Sequence, residues 1–197
     1  KGVDGWITLG TNAETAALFN PMNGECGEAK VRQVDGKTQV YLQLKSGESI
    51  ILQTYRQPLQ ASKPWKYVKE QPFSLRLDHG WKLHFAESTP DIQGTFDIDR
   101  PCSWTNIDHP AAQTNMGTGV YSLDIELPAL KADNWILDLG DVRESARVRI
   151  NGQEAGCVWA VPYQLKVGQF LKPGKNHIEI EVTNLPANRI AELDRQG

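Results

Sequence analysis

One loop near the end of the chain carries two aromatic residues in a position to contact a ligand. Residues 156–163 read GCVWAVPY and follow a strand-like run. A ring on such a loop can stack on the C–H face of a sugar, fill an interface with another domain or pack into its own core. The residues leave all three roles open for Trp159. If a saccharide binds, we expect these contact and neighbouring residues: Trp159, Tyr163, Trp104, Asn106 and Arg189.

Acidic side chains are plentiful, but no motif pairs them for catalysis. Glycoside hydrolysis needs two carboxyl groups facing each other about 5 to 9.5 Å apart across a cleft. No spacing in this sequence fixes such a pair, and no Gly-x-Ser-x-Gly elbow marks a serine nucleophile. We therefore predict no catalytic residue in this chain. The acids considered are Asp97, Asp99, Asp108, Glu144, Glu154 and Glu192.

Metal-binding patterns are equally weak. The four histidines are scattered without the HExxH spacing of a zinc helix, so a zinc site is not expected. Asp97 and Asp99, with Asp108 nearby, offer the oxygen ligands that calcium prefers, but they lack the spacing of a recognised loop. The pattern leaves a structural calcium open without indicating one, and we expect no cofactor.

The three cysteines form neither a disulfide framework nor a paired metal motif, because they are an odd number at wide spacings. We expect Cys26, Cys102 and Cys157 to be separate thiols that pack as small apolar groups. A bridge between Cys102 and Cys157 remains open as the alternative.

The elements that must position these residues are β-strands. Apolar and polar residues alternate with period two over 73–77, 81–85, 121–127 and 146–150, as in strands with one buried face. Asn151-Gly152 predicts a tight hairpin after the last of these runs. We therefore predict an all-β sandwich or jelly roll over residues 73–185. Nine side chains should share its core: Trp81, Leu83, Tyr121, Leu123, Leu137, Val148, Ile150, Ile178 and Ile180.

The first 56 residues read as a four-strand meander. Asp35-Gly36 predicts one hairpin in it and residues 45–47 another. A complete sandwich needs about seven strands, so we interpret this segment as a partial one. Residues 57–71, with two prolines and little periodicity, read as a linker. Short helices are predicted only at 13–18 and 189–194.

Three tryptophans lie on alternating patterns and are expected in cores rather than on ligand platforms. They are Trp6, Trp81 and Trp135.

Composition excludes several classes of protein. A formal net charge of −3 offers no global attraction to nucleic acid or to an anionic membrane surface. No run approaches the roughly 20 apolar residues of a membrane span. Residues 1–20 lack the pattern of a signal peptide, and the chain begins with Lys1, so we expect a processed or trimmed product.

Several motifs together resemble the galactose-binding-like jelly roll of large glycoside hydrolases. They are GTGVY at 117–121, WILDLGDV at 135–142, ARVRING at 146–152, LKPGKN at 171–176 and VTN at 182–184. The closing segment 184–197 is similar to the barrel-type α-L-rhamnosidase family, and the β-galactosidase and β-glucuronidase family is a more distant resemblance. Segments 19–24 and 44–50 are similar to the sandwich that precedes the module in the rhamnosidase type.

The resemblance implies three segments: a partial β-sandwich of trailing strands at 1–56, a linker at 57–71 and a galactose-binding-like jelly roll at 72–197. It implies a non-catalytic accessory region that braces an absent catalytic domain and contacts glycan, in a periplasmic or secreted enzyme. A free-standing carbohydrate-binding or adhesion module is the alternative. The expected partners are carbohydrate and the missing catalytic domain, with no nucleic acid and no membrane span.

Overall fold

The computed structural model describes residues 1–60, 62–69, 73–129 and 132–196. The chain forms two compact units, Lys1–Phe73 and Ser74–Gly197. Strands account for 45% of the chain and helices for 11%, so the predicted all-β class is confirmed.

The first unit contains two antiparallel sheets of three strands each. Their orders are β1-β5-β4 and β3-β2-β6. Ala16 and Leu18 from one sheet and Val40 from the other meet in a shared buried cluster, which makes the unit a small sandwich. The strands are β1 (Val3–Thr8), β2 (Thr15–Phe19), β3 (Cys26–Glu28), β4 (Val31–Val34), β5 (Lys37–Leu44) and β6 (Ile51–Tyr55).

The predicted hairpin at Asp35-Gly36 is present, but the four-strand meander is wrong. Both turn residues have positive φ, and Val34 pairs with Lys37 across the turn. The chain then leaves the sheet after β5, and β6 pairs with β2 in the opposite sheet. Residues 45–47 therefore connect two sheets rather than two neighbouring strands.

The helix predicted at 13–18 is also wrong, since Thr15–Phe19 is the central strand of its sheet. Ala16, Ala17 and Leu18 are consecutive and all buried. A short strand covered on both faces reads as a continuous apolar run, which periodicity cannot tell from a helix. Pairing with β3 and β6 decides in favour of the strand.

Part of the segment predicted as a linker packs on the first unit. The backbone of Glu28 exchanges hydrogen bonds with Lys63 and Trp65, and the Trp65 ring packs against the buried cluster. The Tyr67 hydroxyl accepts from the Lys30 amide and donates to the Tyr41 carbonyl. Residues 70–72, also in this region, lie outside the described residues.

The second unit is built on a six-stranded antiparallel sheet with the order β12-β11-β14-β9-β7-β8 and a two-stranded sheet of β10 and β13. The strands are β7 (Trp81–Thr89), β8 (Thr95–Ile98), β9 (Met116–Leu127), β10 (Ile136–Asp138), β11 (Ser145–Ile150), β12 (Gln153–Val158), β13 (Gln164–Lys166) and β14 (Gly174–Thr183). The helices are α1 (Pro110–Gln113) and α2 (Ala187–Gln196), with 3-10 turns at Trp104–Asn106 and Gly168–Phe170.

The nine side chains predicted to share a core do so. Eight of them are buried in one cluster, and Leu137 packs against it partly buried. The Asn151-Gly152 turn has positive φ at both residues, as predicted, and α2 confirms the helix expected at 189–194.

The strand predicted at 73–77 is absent, and Phe73 and Leu75 are exposed where the prediction placed them on a buried face. All three cysteines are free thiols, and Cys26 and Cys157 are exposed rather than packed as expected.

Candidate functional site

The register of the large sheet brings the predicted site residues to one of its ends. At this end β12 finishes, and Val158 is paired to Ala146 at the start of β11. Thr183 at the end of β14 pairs with Thr118 near the start of β9, and β7 finishes beside them. The loop of Trp159, the turn into α2 and the segment carrying α1 therefore all leave the same end of the sheet.

Trp159 is the most exposed large apolar side chain in the described part of the chain, with 62% of its surface accessible. Val161, two residues later, is 57% exposed, so the loop tip is an apolar projection. The loop is anchored at its base, because the Tyr163 carbonyl accepts a hydrogen bond from the Leu139 amide at 2.9 Å. The Tyr163 ring packs partly buried against the core, so Trp159 offers a face and Tyr163 only part of one.

Trp104 is a core residue, which corrects the expectation that it neighbours a surface ligand. It is 5% exposed, and its indole Nε1 donates a 2.8 Å hydrogen bond to the Tyr121 hydroxyl. Its ring packs edge-on against Phe85 at a centroid distance of 5.0 Å. Burial raises the pKa of Tyr121 to about 12, as expected for a phenol removed from water. Asn106, at the end of the same 3-10 turn, is exposed.

Arg189 lies in a cleft of about 680 Å³ between α1 and α2. Thr105, the neighbour of Asn106, lines the same cleft, so the structure brings Arg189 and the 3-10 turn together there. Across α2, Glu192 is engaged by Arg195 at 3.5 Å and by the Gln196 amide. Among the described residues the Arg189 guanidinium has no ion-pair partner.

This cleft can supply donors to hydroxyl or carboxylate groups. Arginine presents a planar fork of N–H donors, and Asn188 and Gln113 also line the cleft, where the Gln113 amide nitrogen already donates to the Ile107 carbonyl. Sequence reasoning identified Arg189 but not the cleft. The walls of the cleft come from α1 and α2, which are separated in the chain by strands β9 to β14. The Trp159 loop lies at the other lateral side of the sheet, on β12, three strands from β9.

The acids considered for calcium form no metal-binding group within the described residues. Asp97, Asp99 and Asp108 are exposed. Within residues 1–60, 62–69, 73–129 and 132–196, no group of three or more His, Cys, Asp or Glu side chains is arranged to hold a metal ion.

No protein-family model matches the chain. In fold, a rhamnosidase from Novosphingobium sp. PP1Y matches 95% of the chain with a TM-score of 0.75 and 23% identity. The chain has the fold of one part of a rhamnosidase. The predicted resemblance to a region of a large glycoside hydrolase is thereby confirmed.

In sequence, the chain is 29% identical to a putative beta-glucuronidase of Formosa agariphila over 192 residues. This aligned region covers 93% of the chain. A β-glucuronidase from an uncultured Clostridium species matches 60% of the chain at 18% identity and a TM-score of 0.49. The chain spans 16% of the Formosa protein and 18% of the rhamnosidase. Both relatives are therefore several times longer than the region they share with it.

The helices of the described residues lack the length and apolarity needed to cross a membrane.

Proposed function

We propose that this chain is a non-catalytic accessory region of a glycoside hydrolase, which braces the catalytic domain and contacts glycan. The observation that carries the proposal is the match of nearly the whole chain to a small part of much longer glycosidases. A region shared at that scale, in a sequence whose motifs fix no pair of catalytic acids, suits a supporting role better than a catalytic one.

The Trp159 loop is the proposed contact surface. A ring that is 62% exposed beside an exposed valine is costly to leave in water and is typical of a surface that meets a partner. Two partners fit it. The ring can stack on a sugar, or the same projection can seat against the catalytic domain.

In the first case the α1–α2 cleft, which lies apart from the ring at the same end of the sheet, offers further polar groups to the saccharide. Arg189 and the cleft amides offer donors to sugar hydroxyl groups at the same end of the sheet. A small ligand on so open a surface gains only modest free energy against the entropy it loses, so we expect weak binding.

Titration of neutral oligosaccharides into the wild type and a Trp159→Ala variant tests the contact. Binding that disappears only in the variant supports the sugar site. If neither protein binds, docking against the catalytic domain is the better account of the loop. Arg189→Gln is the matched variant for the cleft. If only this variant loses oligosaccharide binding, the sugar binds in the cleft and not at the loop.

A second assay tests the non-catalytic role. Chromogenic aryl glycosides of both anomeric types should show no turnover with the isolated chain. Turnover that vanishes when one acid of this chain is replaced by its amide contradicts the proposal.

The reading frame around the chain decides between the accessory region and a free-standing binding module. A barrel domain encoded in the same frame supports the former. We also propose a periplasmic or secreted location, which fractionation of the source cells checks directly.

A further inference from the structure

The outer face of the sheet β1-β5-β4 carries a row of aromatic rings, of which Trp6 had been expected in a core. In β5, Thr38 and Val40 are fully buried, so the alternate residues Gln39 and Tyr41 point away from the sandwich interior. Trp6 is paired directly with Tyr41 and shares its side of the sheet. We name this surface the aromatic face; its residues are Trp6, Thr8, Lys30, Arg32, Gln39, Tyr41 and Tyr67.

The rings form a continuous row. The centroids of Trp6 and Tyr41 lie 5.3 Å apart, and those of Tyr41 and Tyr67 are also 5.3 Å apart. Both contacts are edge-to-face, with interplanar angles of 75° and 78°. Trp6, Tyr41 and Tyr67 each keep part of their surface accessible. Because neighbouring rings stand nearly perpendicular, they do not form one flat platform, and each ring can meet a sugar only through its own exposed part.

Two cations flank the row. The Arg32 guanidinium carbon lies 4.3 Å from the centre of the Trp6 ring, and the Lys30 ammonium lies 4.9 Å from the centre of Tyr67. Neither forms an ion pair with a carboxylate of the described residues. At this surface Asp4 accepts a 2.7 Å hydrogen bond from the Tyr41 hydroxyl. The aromatic face is thus cationic in a chain whose net charge is −3.

The polar groups between the rings are already ordered. Arg32 Nε donates to the Gln39 side-chain oxygen at 2.8 Å, and the Gln39 amide nitrogen donates to the Thr8 hydroxyl at 3.0 Å. These bonds hold the guanidinium beside Trp6. They engage its Nε and leave its terminal N–H groups available to a carboxylate.

We propose that the aromatic face binds an acidic saccharide, with the exposed Arg32 and Lys30 pairing with uronate carboxylates and the partly exposed rings contacting the sugar beside them. Charge complementarity selects the acidic sugar, because a neutral chain would leave both cations without a partner. A single-stranded nucleic acid also stacks on aromatic rings, but the negative net charge of the protein opposes a polyanion of that charge density. This surface belongs to a different unit from Trp159, so the two sites can fail separately.

The test uses two ligands that differ only at C6: β-1,4-linked tetraglucuronic acid and cellotetraose. Calorimetric titration of the whole chain should show binding of the acid and at least tenfold weaker binding of the neutral sugar. Arg32→Gln should weaken the acid about tenfold, since a charge-assisted hydrogen bond is lost. Raising the salt concentration should weaken binding of the acid to the wild-type chain, because salt screens the charge pairing.

Two more variants complete the design. Trp6→Ala should abolish measurable binding, whereas Trp159→Ala should leave it unchanged. Arg32 is exposed, so its variant reports on the site even if Trp6→Ala disturbs the fold.

Equal affinity for the two sugars, no binding of the acid, or binding that Arg32→Gln leaves intact overturns the proposal. If oligothymidylate binds more tightly than the acidic sugar, and this binding is lost in Arg32→Gln, the surface is a nucleic-acid site instead. If only Trp159→Ala loses binding of the acidic sugar, the sugar binds at the Trp159 loop and not at the aromatic face. The proposed accessory role is then unaffected.

Discussion

The Tyr121 hydroxyl is the polar centre of the second unit, and its removal should destabilise the protein in a pH-dependent way. Tyr121 is 4% exposed. Its oxygen accepts from Trp104 Nε1 at 2.8 Å and donates to the Cys102 carbonyl at 3.1 Å. Tyr121→Phe keeps the ring but leaves the indole N–H buried without its partner. We expect a loss of about 1 to 3 kcal/mol in the free energy of unfolding at neutral pH.

The pH dependence follows from the same burial. Burial raises the pKa of Tyr121 to about 12 from an ordinary value of 10.0. A phenol whose pKa is higher in the folded state stabilises fully below pH 10, and this contribution is lost as the pH rises towards 12. By about pH 11 the wild type should have lost about 1.4 kcal/mol from this group, whereas Tyr121→Phe has no such phenol to titrate. The stability gap between the two proteins should therefore shrink by that amount.

Equilibrium urea unfolding followed by circular dichroism, at neutral pH and at about pH 11, measures the gap. Comparing the two proteins cancels the titration of the remaining tyrosines and lysines. A gap that stays constant or widens with pH would refute the assignment of Tyr121 as a buried, hydrogen-bonded phenol. Equal stability at neutral pH would refute the hydrogen-bond argument itself.

Three further substitutions separate structural from surface residues by urea unfolding at neutral pH. Asn176→Ala should cost about 2 to 4 kcal/mol, because its buried amide bonds Lys172 twice and also engages Gly174 and Asn151; a loss below 1 kcal/mol would contradict this. Leu83→Ala should cost about 2 to 5 kcal/mol, since Leu83 is fully buried in the main core. Trp159→Ala should change stability by no more than about 0.5 kcal/mol, and a larger loss would show that the loop supports the fold.

Local turn chemistry and strand alternation could be predicted because each depends on neighbours in sequence. Asp35-Gly36 and Asn151-Gly152 adopt positive φ with little strain, so both hairpins form where the dipeptides occur. Period-two alternation likewise identified the shared core of the second unit, since every second residue of a strand faces the same side. The helix at Ala187–Gln196 includes the predicted residues 189–194.

The candidate site could be predicted only in part, because exposure depends on which segments pack together. Trp159 and Trp104 both precede or follow turns, yet one projects from the surface and the other donates to Tyr121 inside the core. The distinction arises from β9, which passes beneath Trp104. The cleft at Arg189 needs two helices that are distant in sequence.

By itself the sequence determined the all-β class, the hairpins and the resemblance to a region of a large glycoside hydrolase, because these rest on local backbone preferences and short motifs. Only the tertiary structure decided that residues 15–19 form a strand, that β6 joins β2, and that Trp6 lies on an outer face. Strand pairing is made between segments far apart in the chain, and its register sets which side of each residue meets water.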